Sequence, residues 1–115
     1  MNETIIIEEL EVWPKDLGEM NWQEAKVEVA KLGPGWRLPT LEEFRETLFP
    51  NREKIIKIDK LADYWSSTDF DYLYARSFYF YNGSDHYNYK NNTYHVRAVR
   101  DFGADFAIEY LLKDF

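Results

Sequence analysis

Tyrosine and asparagine are concentrated in one stretch of the chain, residues 69–95, which we call the Tyr/Asn segment. It holds seven of the nine tyrosines. Tyrosine offers a large rigid ring with one hydroxyl, and asparagine adds adaptable hydrogen bonds, a mixture typical of surfaces that hold a ligand without reacting with it. Composition leaves open the alternative of a Tyr-rich sheet whose outer face is only solvated. The candidate ligand-binding residues are Tyr72, Tyr74, Tyr79, Tyr81, Asp85, His86, Tyr87, Asn88, Tyr89, Asn91, Asn92 and Tyr94.

Residues that could catalyse a reaction or hold a metal ion are few. His86 and His95 are the only histidines, and no metal-ligand spacing surrounds them. Residues 69–71, Asp-Phe-Asp, resemble part of a calcium loop but lack its glycine and distal glutamate. The hydroxyls of residues 66–68 stand in no Gly-x-Ser-x-Gly elbow, so we expect them to satisfy backbone groups at a strand end. We predict no catalytic residue, no metal site and no cofactor.

Length and composition favour one globular domain. The chain has 115 residues, of which 45% are hydrophobic and 18% aromatic. Its net charge of −7 argues against nucleic acid or an anionic membrane surface as the main partner. Because cysteine is absent, disulfides, thiolate catalysis and Cys-based zinc sites are excluded. We find no signal peptide and no membrane-spanning run, which leaves open an internal location or, after export by another route, the cell surface or a phage particle.

The N-terminal third predicts a strand and a helix. Residues 5–13 are rich in β-forming side chains and predict a strand ended by Pro14. Asn21 and Glu24 have the spacing of a capping box, which predicts a helix that runs to about Leu32. The side chains expected to be buried are Trp22, Ala25, Val29 and Leu32.

A second helix and a series of strands follow. Thr40 and Glu43 form another capping box, and Pro50 ends this helix, whose apolar face carries Leu41, Phe44 and Leu48. Residues 51–63 are too irregular to assign. Beyond them the pattern predicts strands at 76–81, 84–89 and 93–100, with a two-residue hairpin turn at Asn82 and Gly83. The tail after Gly103 is left unassigned. Helices followed by strands predict an α+β fold with segregated layers.

Three motifs occur in the order found in a known domain family. They are residues 35–43 (GWRLPTLEE), 64–68 (YWSST) and 96–100 (VRAVR). Together they resemble the C-terminal domain family of bacterial collagen-like adhesins, a C-type-lectin-like fold of mostly unknown function. The resemblance covers residues 7–102. It implies two helices packed on a twisted antiparallel sheet, with the final strand pairing near the first.

The resemblance also implies roles for residues. The core framework would be Trp36, Leu38, Trp65 and Val96, and the Tyr/Asn segment would line an exposed ligand face. The domain would span residues 1–102, with 103–115 an extension packed on the same domain or at an oligomer contact. The sugar-binding signatures of calcium-dependent animal lectins are absent, so sugar binding would be calcium-independent. Formylglycine-generating oxidases share the fold, but they need thiols that this chain lacks.

A more specific resemblance is to the variable proteins of diversity-generating retroelements. There, adenines in Asn-type codons are replaced, and such codons do not reach Glu, Lys, Gln, Met or Trp. These five types fill 26 of the 88 positions outside the Tyr/Asn segment and one of the 27 inside it, Lys90. Strands and turns also deplete Glu and Lys, so both explanations stay open.

The sequence therefore predicts a non-enzymatic module that presents the Tyr/Asn segment to a protein or glycan partner. We expect no nucleic-acid partner and no membrane span. The alternative is a structural or interaction domain of a larger envelope or phage assembly, with no specific ligand at the segment. Arg97 and Arg100 could bind an anion, but among 21 acidic residues internal ion pairs are the favoured interpretation.

Overall fold

The computed structural model describes residues 4–55 and 57–102. The strands are β1 (Ile5–Ile7), β2 (Leu10–Val12), β3 (Glu19–Met20), β4 (Asp63–Asp69), β5 (Tyr74–Tyr79), β6 (Ser84–Tyr89), β7 (Tyr94–His95) and β8 (Val99–Asp101). The helices are α1 (Trp22–Ala30) and α2 (Leu41–Glu43), and α2 continues into a π-helical turn, Phe44–Leu48. A 3-10 turn, Arg52–Lys54, lies in the stretch left unassigned from sequence. The extension at 103–115 lies outside the described residues.

The strands form two sheets, which confirms the α+β class. Five strands pair in the order β3-β7-β4-β5-β6, and three pair in the order β1-β2-β8. All pairs are antiparallel except β4 with β7. The pairing of β2 with β8 confirms that the final strand lies near the start of the chain. No helix in the described part of the chain combines the length and apolar character needed to cross a membrane.

Two predicted strands are each divided in the structure. The strand expected at 5–13 is the hairpin β1–β2, which reverses at Glu8 with a φ of 55°. This reversal brings Ile7 and Leu10 into the same core. The strand expected at 93–100 is interrupted between β7 and β8, because the backbone of this stretch bonds to the loop after β2 instead. Leu17 N donates to Val96 O at 2.9 Å there.

The hairpin between β5 and β6 also differs from prediction. β6 occupies 84–89 as expected, but β5 ends at Tyr79 and a four-residue loop, 80–83, replaces the two-residue turn. Phe80 leaves the strand because its ring is fully buried among other aromatic rings of the core. Gly83 closes the loop with a φ of 75°, and its N donates to Tyr79 O at 2.9 Å.

Both capping boxes are confirmed. At α1 the Glu24 N donates to Asn21 Oδ1 at 2.9 Å, and at α2 the Glu43 N donates to Thr40 Oγ1 at 3.1 Å. The first helix ends at Ala30, two residues before the predicted end. The second keeps α geometry for one turn and then widens, with a hydrogen bond of 2.8 Å from Phe49 N to Phe44 O.

Arg37 joins the second helix to the three-stranded sheet. Its guanidinium donates to both carboxylate oxygens of Glu43 at 2.7 Å and to Asp101 at 2.8 Å. Burial alone would raise the pKa of Glu43, but the bonds from Arg37 and from the Thr40 backbone outweigh it and hold that pKa below its ordinary value. Arg37 therefore links Glu43, which completes the capping box of α2, to Asp101 of β8.

A hydrophobic cluster lies on each face of the five-stranded sheet. Consecutive strand residues point to opposite faces, and in β4 the fully buried Tyr64 and Trp65 enter different clusters. We name the two sides the α2 face, which includes Tyr64, and the α1 face, which includes Trp65. The α2 face packs Leu41, Phe44, Leu48 and Phe78. The α1 face packs Trp22, Ala25, Val29, Trp36, Leu38, Ala75 and Val96, so the predicted core framework is confirmed as buried.

We predict that Trp65→Ala destabilises the protein by about 3–5 kcal/mol, as expected when a large buried aromatic side chain is deleted. Its indole is inaccessible to solvent, and its N–H donates to Met20 O at 2.9 Å. Tyr72→Ala is the matched control, since that ring is 85% exposed, and should cost roughly 0.5 kcal/mol or less. Urea denaturation of both variants measures the difference, and equal costs would contradict the division between core and exposed ring.

Candidate functional site

The sheet distributes the predicted binding residues over both faces, so they do not form one surface. Alternation along β5, β6 and β7 decides the face of each. On the α2 face lie Tyr74, Asp85, Tyr87 and Tyr89. On the α1 face lie Tyr79, His86, Asn88 and Tyr94. In the connecting turns lie Tyr72, Tyr81, Asn91 and Asn92.

Four rings on the α2 face form one continuous surface at the end of the sheet. We define this aromatic patch as Phe70, Tyr74, Tyr87 and Tyr89. Phe70 meets Tyr87 edge-on with ring centroids 4.7 Å apart, and Tyr74 stacks on Tyr89 at 4.6 Å. Three of the rings, Phe70, Tyr74 and Tyr87, line a cleft of about 240 Å³. Farther along the same face, the π-helical turn covers Phe78, because the Phe44 ring stacks on it. Phe70, Tyr87 and Tyr89, in contrast, are more than half exposed.

Arg76 lies beneath the patch and is neutralised there. Its guanidinium carbon stands 3.9 Å from the centre of the Tyr87 ring, and Nη2 donates to the Asp85 carboxylate. This cation supports the ring from below and already has an anionic partner, so the patch offers aromatic surface and little net charge. Side-chain hydrogen bonding with Tyr89 raises the pKa of Tyr74.

The turn that carries Phe70 is held by two aspartates. Asp71 Oδ1 accepts hydrogen bonds from the backbone N of Leu73 and of Tyr74, both at 2.8 Å. Asp69 pairs with Lys90 at 2.8 Å, and the hydrogen bond from this lysine lowers the pKa of Asp69. The two aspartates of the fragment that resembles a calcium loop therefore stabilise the turn through these bonds. Within residues 4–55 and 57–102, no group of three His, Cys, Asp or Glu side chains is arranged to hold a metal ion, and metal independence stays a prediction.

Polar members of the Tyr/Asn segment on the α1 face bond to one another. Asn88 Nδ2 donates to the fully buried Ser77 Oγ at 2.6 Å, and Tyr94 Oη donates to Asn88 Oδ1 at 2.9 Å. The His86 ring lies 3.2 Å from Asp63 and 6.0 Å from the ring of Tyr79. These hydrogen bonds connect β6 and β7 to the central strands of the sheet, so the side chains that form them have a structural role.

The second histidine belongs to a separate cluster on the α2 face. His95 Nδ1 lies 2.8 Å from Asp16 Oδ2, which also accepts a hydrogen bond of 3.2 Å from Tyr64 Oη. Burial raises the pKa of Tyr64, and burial lowers that of Arg97, whose Nε donates to Trp13 O at 2.8 Å. Because the two histidines lie on opposite faces, they do not share a site.

Two interpretations based on local bonding are confirmed in part. The internal ion pair is confirmed for Arg100, which pairs with Glu11 at 2.6 Å, whereas the bond described above for Arg97 is to a backbone carbonyl, Trp13 O. Ser66 Oγ donates to Arg76 O at 2.7 Å and accepts from Thr68 N at 3.1 Å, so this hydroxyl does satisfy backbone groups, but in the middle of β4 and not at its end.

Phe70 and Arg76 are site residues that the sequence does not predict, because the composition signal consists of Tyr and Asn. The pattern of β5 contained a signal for one of them, since Tyr74 and Arg76 are two residues apart and must share a face. The position of Phe70 depends on the turn after β4, which no periodicity reveals.

The fold and the site define a small α+β domain with an exposed aromatic patch. The family model of the Lcl C-terminal domain matches residues 8–100. The chain belongs to the Lcl C-terminal domain family, and the resemblance based on three motifs is confirmed at the level of this family. The search of curated proteins found no match.

We predict that Asn88→Ala destabilises the protein by about 1–3 kcal/mol, because it removes a partner from the buried Ser77 hydroxyl and from Tyr94. Asn92→Ala is the control, because that side chain is exposed and its loss should change the free energy of unfolding by roughly 0.5 kcal/mol or less. Thermal and urea denaturation of both variants test this. Similar stability of the two variants would show that the α1-face network is not structural.

Proposed function

We propose that this domain is a non-enzymatic binding module that holds a protein or glycan partner on the aromatic patch. The observation that carries the proposal is the cluster of rings itself. Phe70, Tyr87 and Tyr89 are between 51% and 59% exposed and in contact with other rings of the patch. Rigid rings that are about half exposed to solvent can bury further area at little entropic cost when a partner covers them.

The bonding of the reactive side chains supports a function without catalysis. Asp85, His86, His95 and Ser66 each bond to a neighbouring side chain or backbone group of the sheet. None of them faces the cleft lined by Phe70, Tyr74 and Tyr87. A nucleophile with an adjacent base, which covalent catalysis needs, is therefore lacking at the patch.

We infer further that the domain has the C-type-lectin-like form suggested by its motifs. Two capped helices on a sheet and the pairing of β2 with β8 agree with that form. The aromatic patch and its cleft then take the place of a calcium-dependent sugar site. The alternative function is a structural or interaction domain of an envelope or phage assembly, in which the same rings pack against a neighbouring subunit.

Removing one ring of the patch tests the proposal. A partner found by glycan array or protein pull-down should bind Tyr87→Ala more weakly by about 2 kcal/mol, because aromatic residues at the centre of an interface contribute this much. Tyr81→Ala is the matched control: its ring is 67% exposed but lies in the loop at the other end of β5 and β6. Titrations of the partner with the unsubstituted protein and with each of the two variants give the dissociation constants.

Ionic strength distinguishes the patch from a charged site. Since Arg76 and Lys90 are both paired with carboxylates, the part of the affinity that the Tyr87 ring contributes should change little between low and high salt. A steep loss of affinity with salt that is abolished by replacing Arg97 and Arg100, with Tyr87→Ala unaffected, would contradict the proposal.

We propose, as a second point, that a retroelement diversifies the exposed positions of the Tyr/Asn segment. Tyr72, Tyr87, Tyr89, Asn91 and Asn92 are exposed and can vary without disturbing the core. The coding sequence should carry Asn-type codons ending in C or T at these positions, near a template repeat and a reverse transcriptase gene. Phe78 and Phe80 are buried and should not differ from the template. A gene without a repeat would refute diversification and leave the binding proposal intact.

A further inference from the structure

The outer strand of the five-stranded sheet, β6, carries the aromatic patch on an open edge. Backbone bonds on the neighbouring β5 show which way each residue of β6 points. The C=O groups of Tyr74 and Arg76 accept hydrogen bonds from Phe70 N and from Ser66 Oγ, on the β4 side. Leu73 O, in contrast, accepts from Lys90 N, on the β6 side.

In an antiparallel pair, residues with backbone groups directed inward alternate with residues whose groups are directed outward. Tyr74 lies opposite Tyr89, and Arg76 lies opposite Tyr87. The residues of β6 that direct their N–H and C=O groups away from β5 are therefore Asp85, Tyr87 and Tyr89. Tyr89 O accepts from Asn92 N at 3.0 Å, and beyond β6 the described residues contain no further strand.

This edge lacks the features by which proteins block strand addition. Blocked edges are short, bulged or provided with proline or lysine. The opposite edge, β3, is only two residues long, whereas β6 pairs over six residues without a register shift and contains neither proline nor lysine. Its one acidic residue, Asp85, is neutralised by Arg76.

The charges at this edge favour a partner other than a second copy. Asp69, Asp71 and Asp85 lie beside the patch and the edge, and the only cations bonded to them, among the described residues, are Lys90 and Arg76. A second copy would add another net charge of −7, which opposes association. An extended segment with basic flanks meets this surface with complementary charge.

We propose that β6 accepts an added β-strand from a partner protein, an extended segment with basic flanks that inserts one apolar side chain into the cleft of Phe70, Tyr74 and Tyr87. This inference rests on the proposed function and selects an extended polypeptide as its ligand. The backbone groups of Asp85 and Tyr87 and the N–H of Tyr89 supply the hydrogen bonds of the new pair, because Tyr89 O already accepts from Asn92 N. The cleft supplies the sequence preference of the pairing.

The test uses a phage-displayed library of dodecapeptides selected on the full chain. Selected peptides should protect the amides of Asp85, Tyr87 and Tyr89 from hydrogen exchange, whereas the amides of His86 and Asn88 are already protected by β5. Asp85→Pro should bind them about tenfold more weakly than Asp85→Ala, because only the proline variant removes an outward N–H. N-methylation of alternate peptide residues should abolish binding in one register and spare it in the other, which tests the pairing even if the proline variant does not fold.

Several outcomes would overturn the inference. Peptides that bind without protecting these amides, and bind both Asp85 variants equally, would place the ligand on the rings alone and leave the proposed function standing. If only glycans bind, and Tyr87→Ala weakens their binding, the strand-addition inference is likewise overturned and the proposed function still stands. A dimer that Asp85→Pro dissociates, found by sedimentation, would make the second copy the occupant. If neither peptide, protein nor glycan binds in a manner that depends on Tyr87, the proposed function falls as well.

Discussion

The burial of two consecutive residues of β4 on opposite faces is the constraint on which this structure depends. Tyr64 and Trp65 are both inaccessible to solvent, so each face of the central strand must be covered. The α1 helix covers Trp65, and the α2 region with the three-stranded sheet covers Tyr64. Each helix begins at its own capping box, and Arg37 connects the second to β8. A sheet covered on both sides leaves only its ends and edges for contact with other molecules.

This arrangement explains why the aromatic patch is small. Close to β4, both faces belong to the core, and the polar side chains of β6 and β7 on the α1 face bond to the sheet. Among the described residues, the end of the α2 face, where Tyr74 and Arg76 extend past the π-helical turn, is left uncovered. The rings there rest on a neutralised guanidinium instead of a hydrophobic core. They are held in place from below and are still accessible from above.

Features set by neighbouring residues could be predicted from sequence, and features set by distant pairing could not. The caps at Asn21 and Thr40 are local, and so is the end of the hairpin strand at Tyr89. The face of each tyrosine depends instead on the register of β5 and β6 against β4, which shifts at a bulge between Trp65 and Asp69. The division of residues 5–13 into two strands likewise depends on β8, which pairs with β2 alone. The Tyr/Asn segment was therefore identified by composition, but its partition between structural and exposed side chains required the tertiary structure.

The pairing of β2 with β8 has a consequence for how the chain folds. Val12 lies opposite Val99, and Leu10 lies opposite Asp101, so the contact joins residues near the two ends of the described chain. During synthesis the N-terminal hairpin has no further strand to pair with until nearly the whole domain has left the ribosome. Contacts of such long sequence separation slow folding, because the loop between them must be ordered first. The edge of β2 that later pairs with β8 stays open through this interval, and an open strand edge can pair with another strand.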